Sequence, residues 1–223
     1  MSRHDIYGPI HKGLRLALCD LTIRLARTDF ADTGQKSEVL AALRSQLALG
    51  ASHLAHEEDH IHGALEARAP GSTITLGADH DHHRHAFAAL EAAMRAVEVA
   101  RGEAARARGR DLYLKFSQFA AADFVHMAEE EMVVLPLLHR LFSDSELIAM
   151  EGEIVAALPP EKAIAFMKLA IPAMNPPERI GFLGFVRDSA PPEAFEAVID
   201  LAARPTLTPR DYRDVVEGLG IAA

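Results

Sequence analysis

Leu14, Leu18, Leu21 and Leu25 recur at steps of three and four residues, the spacing of an apolar stripe on a helix, and predict a first helix from about Pro9 to Arg27. His11 falls on the same stripe, one turn before Leu14. A polar connector with Asp29, Asp32, Thr33 and Gly34 follows. Leu40, Leu43, Leu47, His53 and Glu57 then predict a long second helix from about Ser37 to Arg68, ended by Pro70-Gly71. Gly50 in its middle weakens the helix and is expected to mark close packing. A third helix is expected after Gly77, capped by Asp79, and running to about Ala107. Gly109 reads as a break. A fourth helix should start at Asp111, carry Phe116, Phe119, Phe124 and His126, and end near Leu141, with Pro136 kinking or tightening its last turn.

The helices repeat. His53-x-x-x-Glu57-Glu58 returns as His126-x-x-x-Glu130-Glu131 at an offset of 73 residues, which also pairs Ala55 with Ala128 and Leu65 with Leu138. A weaker repeat at an offset of 69 pairs His11 with His80, Arg15 with Arg84, Leu21 with Leu90 and Leu25 with Met94. Two copies of a helix pair imply an all-α, up-down-up-down four-helix bundle over residues 1–142, whose inward side chains meet in the core. From Ser143 the texture changes to about five short helices punctuated by proline. Ser143 with Glu146 forms a capping box, and Asn175-Pro176, Ala190-Pro191 and Thr208-Pro209 mark further helix starts. This all-helical extension, residues 143–223, is expected to pack against the rest or to support a homodimer.

Composition narrows the class. Of 223 residues 49% are hydrophobic, ample for a buried core. No apolar run is long enough to span a bilayer and the first ten residues lack the apolar centre of a secretory signal, so a cytoplasmic protein without a membrane partner is expected. The single cysteine, Cys19, fits a reducing compartment and, lying among Leu18, Leu21 and Leu25, reads as a small core residue. A net charge of −9 argues against a nucleic-acid partner. The basic stretch holding Arg101, Arg106, Arg108 and Arg110 sits where a helix should end, which suits the helix dipole.

Histidine is the compositional anomaly: eight of the twelve lie between His53 and His85. Residues four apart share a helix face, so each His-x-x-x-Glu can aim an imidazole and a carboxylate at one point. The inward candidates are His11, His53, Glu57, His80, His126 and Glu130, too rich a set for one ion. Mixed imidazole and carboxylate donors suit iron, zinc or manganese. Two carboxylates facing each other in a core need cations between them, and two metal ions bridged by Glu57 and Glu130 meet that need. His56, His60 and His83 are candidates for extra ligands or neighbours of the ligands, Glu58 and Glu131 for supporting or solvent-facing roles. Tyr7, one turn before His11, reads as core packing. His4, His62, His82, His85 and His139 are expected at the surface.

With His11-Lys12-Gly13-Leu14-Arg15, His53-x-x-x-Glu57-Glu58, Asp79-His80-x-x-His83-Arg84 and His126-x-x-x-Glu130-Glu131 before Pro136, the first 142 residues resemble the hemerythrin-like family, the His-His-Glu cation-binding domain. The resemblance implies a non-haem centre of two iron ions, with zinc or manganese as substitutes. His11, His53, His80 and His126 would be terminal ligands, Glu57 and Glu130 bridges, and O2, peroxide or nitric oxide the small ligand. Oxygen carriers of that family place two histidines four apart on the third helix. Here Arg84 stands four after His80 and Asp79 four before His83, with Asp79 and His60 the candidates to fill the position. That departure moves the expectation from reversible oxygen carriage to sensing or to iron- and redox-linked roles. The leading expectation is a protein that binds the metal and a small ligand without being mainly an enzyme. The alternatives are a di-iron oxidase or peroxidase, or an interaction protein with a structural or regulatory metal.

Overall fold

A computed structural model describes residues 3–221. The described chain is all-α, without a strand, and no helix in it is long and apolar enough to cross a membrane. It divides into two compact units, one of residues 3–4 with 17–154 and one of residues 5–16 with 155–221.

The first unit is built on helices α1 (Gly8–Arg27, whose first half belongs to the other unit), α2 (Thr33–His56), α3 (Gly63–Arg68), α4 (Ile74–Val99), α5 (Gly102–Glu129), α6 (Leu135–Leu141) and the start of α7 (Asp144–Ala157). Leu18, Leu21 and Leu25 of α1 are buried, as their spacing requires. Asp32 caps α2 by accepting from the Gln35 N–H at 2.9 Å. The chain stays helical beyond His56 to Arg68, but through a π-helical turn, Glu57–His62. A second π turn, Glu130–Val134, joins α5 to α6. Partners across α4 and α5 run in opposite directions: His80 meets His126, His83 meets Asp123, and Phe87 meets Phe119. The same holds for α2 on α4, where Glu58 meets His80, Arg44 meets Glu91 and Glu98, and Lys36 meets the end of α4.

The structure corrects the expected boundary of the third helix at both ends. It begins at Ile74, with Gly77 and Asp79 inside it, because the buried Leu76 extends its apolar face and the Gly77 N–H bonds the Thr73 carbonyl at 2.9 Å. It stops at Val99 rather than Ala107. Lys36, 4% exposed, points its ammonium at the carbonyls of Val97, Glu98 and Ala100, at 3.4, 3.4 and 3.0 Å. A cation there satisfies carbonyls that the helix end leaves open and complements its dipole. Arg101 adds bonds to the carbonyls of Glu98 and Ala100, so the basic stretch opens α5 instead of closing a helix. Nor is Gly109 a break. It lies buried inside α5, and a Cβ there would fall 2.0 Å from Cδ2 of Phe30. The glycine is a notch for a ring from the α1–α2 connection. Cys19, expected in the core, is exposed: it is one residue past Leu18, about 100° around the helix from the stripe.

The second unit contains the rest of α7, α8 (Pro160–Ala173), α9 (Pro176–Ser189), and α10 (Pro192–Val198), which continues through a third π turn, Ile199–Ala203, into α11 (Arg204–Thr206), and then α12 (Pro209–Leu219). Asn175 and Glu178 form a reciprocal cap on α9, and Thr208 caps α12 through the Asp211 N–H. Ile171, Leu183, Phe195, Val198, Ile199, Ala202, Ala203 and Val215 make a core of their own. Arg179, 4% exposed, reaches the carbonyls of Ile171 and Met174 at 3.0 and 2.8 Å and Asp211 at 3.3 Å, tying α8, α9 and α12 together. Gly13 of α1 presses on the backbone of Leu169, where a Cβ would stand 2.7 Å from its carbonyl carbon.

Two substitutions test these packing arguments by thermal or urea unfolding. Gly109→Ala should destabilise the protein by about 1–2 kcal/mol, although alanine is the better helix former by about 1 kcal/mol, because it displaces a buried ring. An equal or higher stability contradicts the notch. Lys36→Met should cost about 2 kcal/mol, the range for hydrogen bonds to a charged group, and an unchanged stability removes Lys36 as the cap of α4.

Candidate metal centre

His53 with Glu57, and His126 with Glu130, are pairs four residues apart at the ends of α2 and α5, so helical geometry brings each imidazole next to its carboxylate. In both pairs the glutamate is the first residue of a π turn. Its N–H is shared between two preceding carbonyls, those of His53 and Leu54 for Glu57 and those of His126 and Met127 for Glu130. The duplicated motif therefore duplicates its backbone distortion. After Glu130 the turn closes by a bond from the Leu135 N–H to the Glu130 carbonyl, five residues back and directly before Pro136, which has no N–H to give. The helix there widens instead of kinking.

The two π turns and α4 bring Glu57, His80, His126 and Glu130 together in the interior, all buried, each offering a ligand atom within 4.8 Å of the others. His53 Nε2 stands 3.0 Å from Glu57 Oε1, and His80 Nε2 stands 3.6 Å from Glu57 Oε2. His126 Nε2 lies 3.5 Å from Glu130 Oε1 and 3.2 Å from His80 Nε2. Around this group sits a ring of supports. The Nδ1 of His80 is 3.0 Å from Glu58 Oε1, and that oxygen also receives Arg84 Nη1 at 2.7 Å. His83, 2% exposed, bonds the Asp79 carbonyl through Nδ1 at 2.7 Å, and its Nε2 stands 3.0 Å from Asp123 Oδ1. The Asp79 carbonyl can only accept, so His83 Nδ1 carries hydrogen.

The charges make this group fit a cation. Burial, the nearby Glu57 charge and a hydrogen bond to Glu57 push the Glu130 carboxyl well above the usual carboxylate range. Burial pulls the His126 imidazole down to about 4 and holds His80 below its ordinary value. Burial also raises Glu58, but hydrogen bonds from Arg84 and His80 outweigh it and leave that carboxyl lowered. His83 goes the other way from its neighbours: burial lowers it, yet Asp123 and the Asp79 carbonyl together raise it. Neutral imidazoles beside two carboxyls that resist being charged together are a donor set prepared for a metal ion, which binds the neutral ring and removes the repulsion.

Of the six ligands predicted from the sequence, the structure brings Glu57, His80, His126 and Glu130 into one group and sets His53 against Glu57. His11 is buried on the first turn of α1, within the second unit, its ring stacked on Tyr7 with centroids 5.0 Å apart at 25°. His82 and His85 are exposed, as expected. His60 lies 3.8 Å from Glu153, at the periphery. His4 and His139 are half-buried and bonded to each other's neighbourhood: His4 Nε2 is 2.9 Å from Glu151, and His139 Nε2 donates to the His4 carbonyl.

His62 corrects an expectation. It is 7% exposed, its ring 4.8 Å from that of His80. On an α-helix a residue five after Glu57 would point away. The π turn has more residues per turn and rotates His62 back toward the ligand face. Asp123 was overlooked in the sequence, though it stands three residues before His126, on the same face of α5, and was legible there as a carboxylate among Phe119, Ala120 and Phe124.

The raised Glu130 carboxyl has a consequence for stability. A carboxyl whose folded value lies above its unfolded one favours folding below the unfolded value, near 4.5, and loses that contribution as pH rises. Metal-free Glu130→Gln, which keeps the shape and removes the charge, should therefore match wild type near pH 4 and melt several degrees higher at pH 7.5. Added zinc or iron should raise the wild-type melting temperature more than that of the variant. Parallel melting curves at all pH values, with and without metal, contradict the charge conflict.

Residues 9–139 match the family described as the hemerythrin HHE cation binding domain. No curated protein sequence and no solved structure matches the chain. The matched segment spans more than half of the chain and contains the four convergent side chains together with His11 and His53, and by that match the chain belongs to the hemerythrin HHE cation-binding domain family.

Proposed function

We propose that the chain holds two iron ions bridged by Glu57 and Glu130, with His11, His53, His80 and His126 as terminal ligands and zinc or manganese as substitutes. The centre binds or senses O2, peroxide or nitric oxide, or reports iron and redox state. The observation that carries this reading is the meeting of two buried carboxyls, Glu57 and Glu130, beside neutral buried imidazoles. His11 keeps its place through the repeat that pairs it with His80.

Bound iron would supply a redox-active pair with room for a small exogenous ligand. The chain's own residues do the rest. The π turns present Glu57 and Glu130, burial favours the neutral form of His80 and His126, and Leu54, Ile61, Leu65, Phe116 and Met127 are buried on the same helical stretches. His83, its ring 4.8 Å from that of His126 and its Nε2 3.0 Å from Asp123, stands beside the site with a raised tendency to hold a proton. Arg84 at the position four after His80 favours a sensing or redox-linked role over reversible oxygen carriage.

Aerobically purified protein should contain two iron ions per chain and show near-ultraviolet and visible absorption where zinc is silent. The double substitution His53→Ala, His126→Ala should abolish both. Two irons retained by that variant overturn the ligand assignment. Addition of peroxide or nitric oxide should change the spectrum stoichiometrically, whereas steady peroxide turnover would establish the oxidase or peroxidase alternative.

A further inference from the structure

Arg84 stands four residues after His80 on α4, and its side chain does not join the group of Glu57, His80, His126 and Glu130. It turns outward, with 49% of the side chain exposed, and holds two carboxylates: Glu58 Oε1 at 2.7 Å and Asp81 Oδ1 at 2.6 Å. Asp81, three residues earlier on α4, braces the guanidinium. Glu58 belongs to the first π turn, one residue past Glu57. The same Oε1 that takes the arginine bond also faces Nδ1 of His80 at 3.0 Å, and His80 is fully buried.

The hydrogen positions follow from this chain of contacts. A carboxylate paired with a guanidinium is ionised and can only accept, so His80 must carry its hydrogen on Nδ1. Its Nε2 is then a lone pair, and that nitrogen is the one lying 3.6 Å from Glu57 Oε2 and 3.2 Å from His126 Nε2. We propose that Arg84 is a positioning residue for the metal centre: by anchoring Glu58 it locks His80 in the Nδ1–H tautomer and aims Nε2 at the metal. For its effect on metal this rests on the function proposed above, whereas the tautomer is a property of the metal-free chain.

Magnitudes separate this role from a structural one. A half-exposed ion pair contributes about 0–1 kcal/mol to folding, so breaking it barely moves the melting temperature. Loss of the group that orients a ligating histidine costs roughly 10–100-fold in metal affinity. Arg95, paired with Glu91 on the same helix at 3.4 Å, is a surface ion pair of the first kind with no histidine behind it.

The test compares full-length wild type with Arg84→Ala, Arg84→Lys, Glu58→Ala and, as control, Arg95→Ala. In the metal-free proteins, long-range nitrogen–proton NMR correlation should show His80 as a single Nδ1–H tautomer in wild type, Arg84→Lys and Arg95→Ala, and as a mixture in Arg84→Ala and Glu58→Ala. Zinc affinity of Arg84→Ala and Glu58→Ala, measured in competition with a chelator, should fall about 10–100-fold below wild type, with the melting temperature of metal-free Arg84→Ala unchanged. A wild-type tautomer in Arg84→Ala, or Arg84→Lys behaving as Arg84→Ala, overturns the proposal. A wild-type chain that binds neither zinc nor iron overturns the proposed function instead, and the NMR comparison still decides the role of Arg84.

Discussion

Two carboxyl groups that meet inside a protein cannot both stay charged unless something positive lies between or beside them. Glu57 and Glu130 meet in this way, and the burial of Glu130 is complete. Such a pair weakens a chain that carries no cation. The arrangement is therefore intelligible as a receptacle: the strain of the metal-free pair becomes the affinity of the loaded one. The neutral imidazoles of His80 and His126 complete it, because burial that makes a carboxylate costly also keeps a histidine unprotonated and able to coordinate.

The helical framework serves that meeting point. Side chains on α2, α4 and α5 reach a common centre only if the helices run antiparallel in one register, and several contacts distributed along their length set it. At one end Lys36 stops α4 and Phe30 seats in the notch of Gly109. Midway Phe87 packs on Gly50 and Phe119. At the other end the polar supports take over, with His83 against Asp123 and His80 against Glu58. The two π turns add the local adjustment. One begins at Glu57 and the other at Glu130, and each shifts the following residues around the helix, so that Ile61 and Leu65, and Val134 and Leu138, stay buried together with Glu57 and Glu130.

Charge is layered around the site. The buried layer holds carboxyls and neutral rings. The next layer sets His83 beside Asp123 and pairs Arg84 with Glu58, and the outermost carries the exposed Asp81. A histidine beside a metal group need not be a ligand. His83 is nearly as buried as His80, yet its Nδ1 bonds the Asp79 carbonyl and its Nε2 stands beside Asp123.

The amino-acid sequence by itself determined the helical class and the duplicated His-x-x-x-Glu pairs, because each depends on local periodicity: a spacing of four residues places two side chains on one face whatever surrounds them. Helix starts marked by Asn175 and Thr208 were legible for the same reason, whereas Asp32 read as part of a connector and the second helix starts at Thr33 rather than Ser37. Other features belonged to the tertiary structure alone. Gly109 looked like a break since glycine disfavours helix locally, but a ring from a distant segment needed its missing side chain. Cys19 looked buried by its neighbours' hydrophobicity, but the orientation of α1 turned it outward. The end of α4 depended on a lysine 61 residues earlier in the chain. His62 was assigned to the surface by the α-helical period, and only the π turn, a backbone change with no residue of its own to announce it, rotated that ring toward His80. Local spacing decides which residues share a face. Contacts between distant segments decide where a helix stops, which way it faces and which histidine is free to bind.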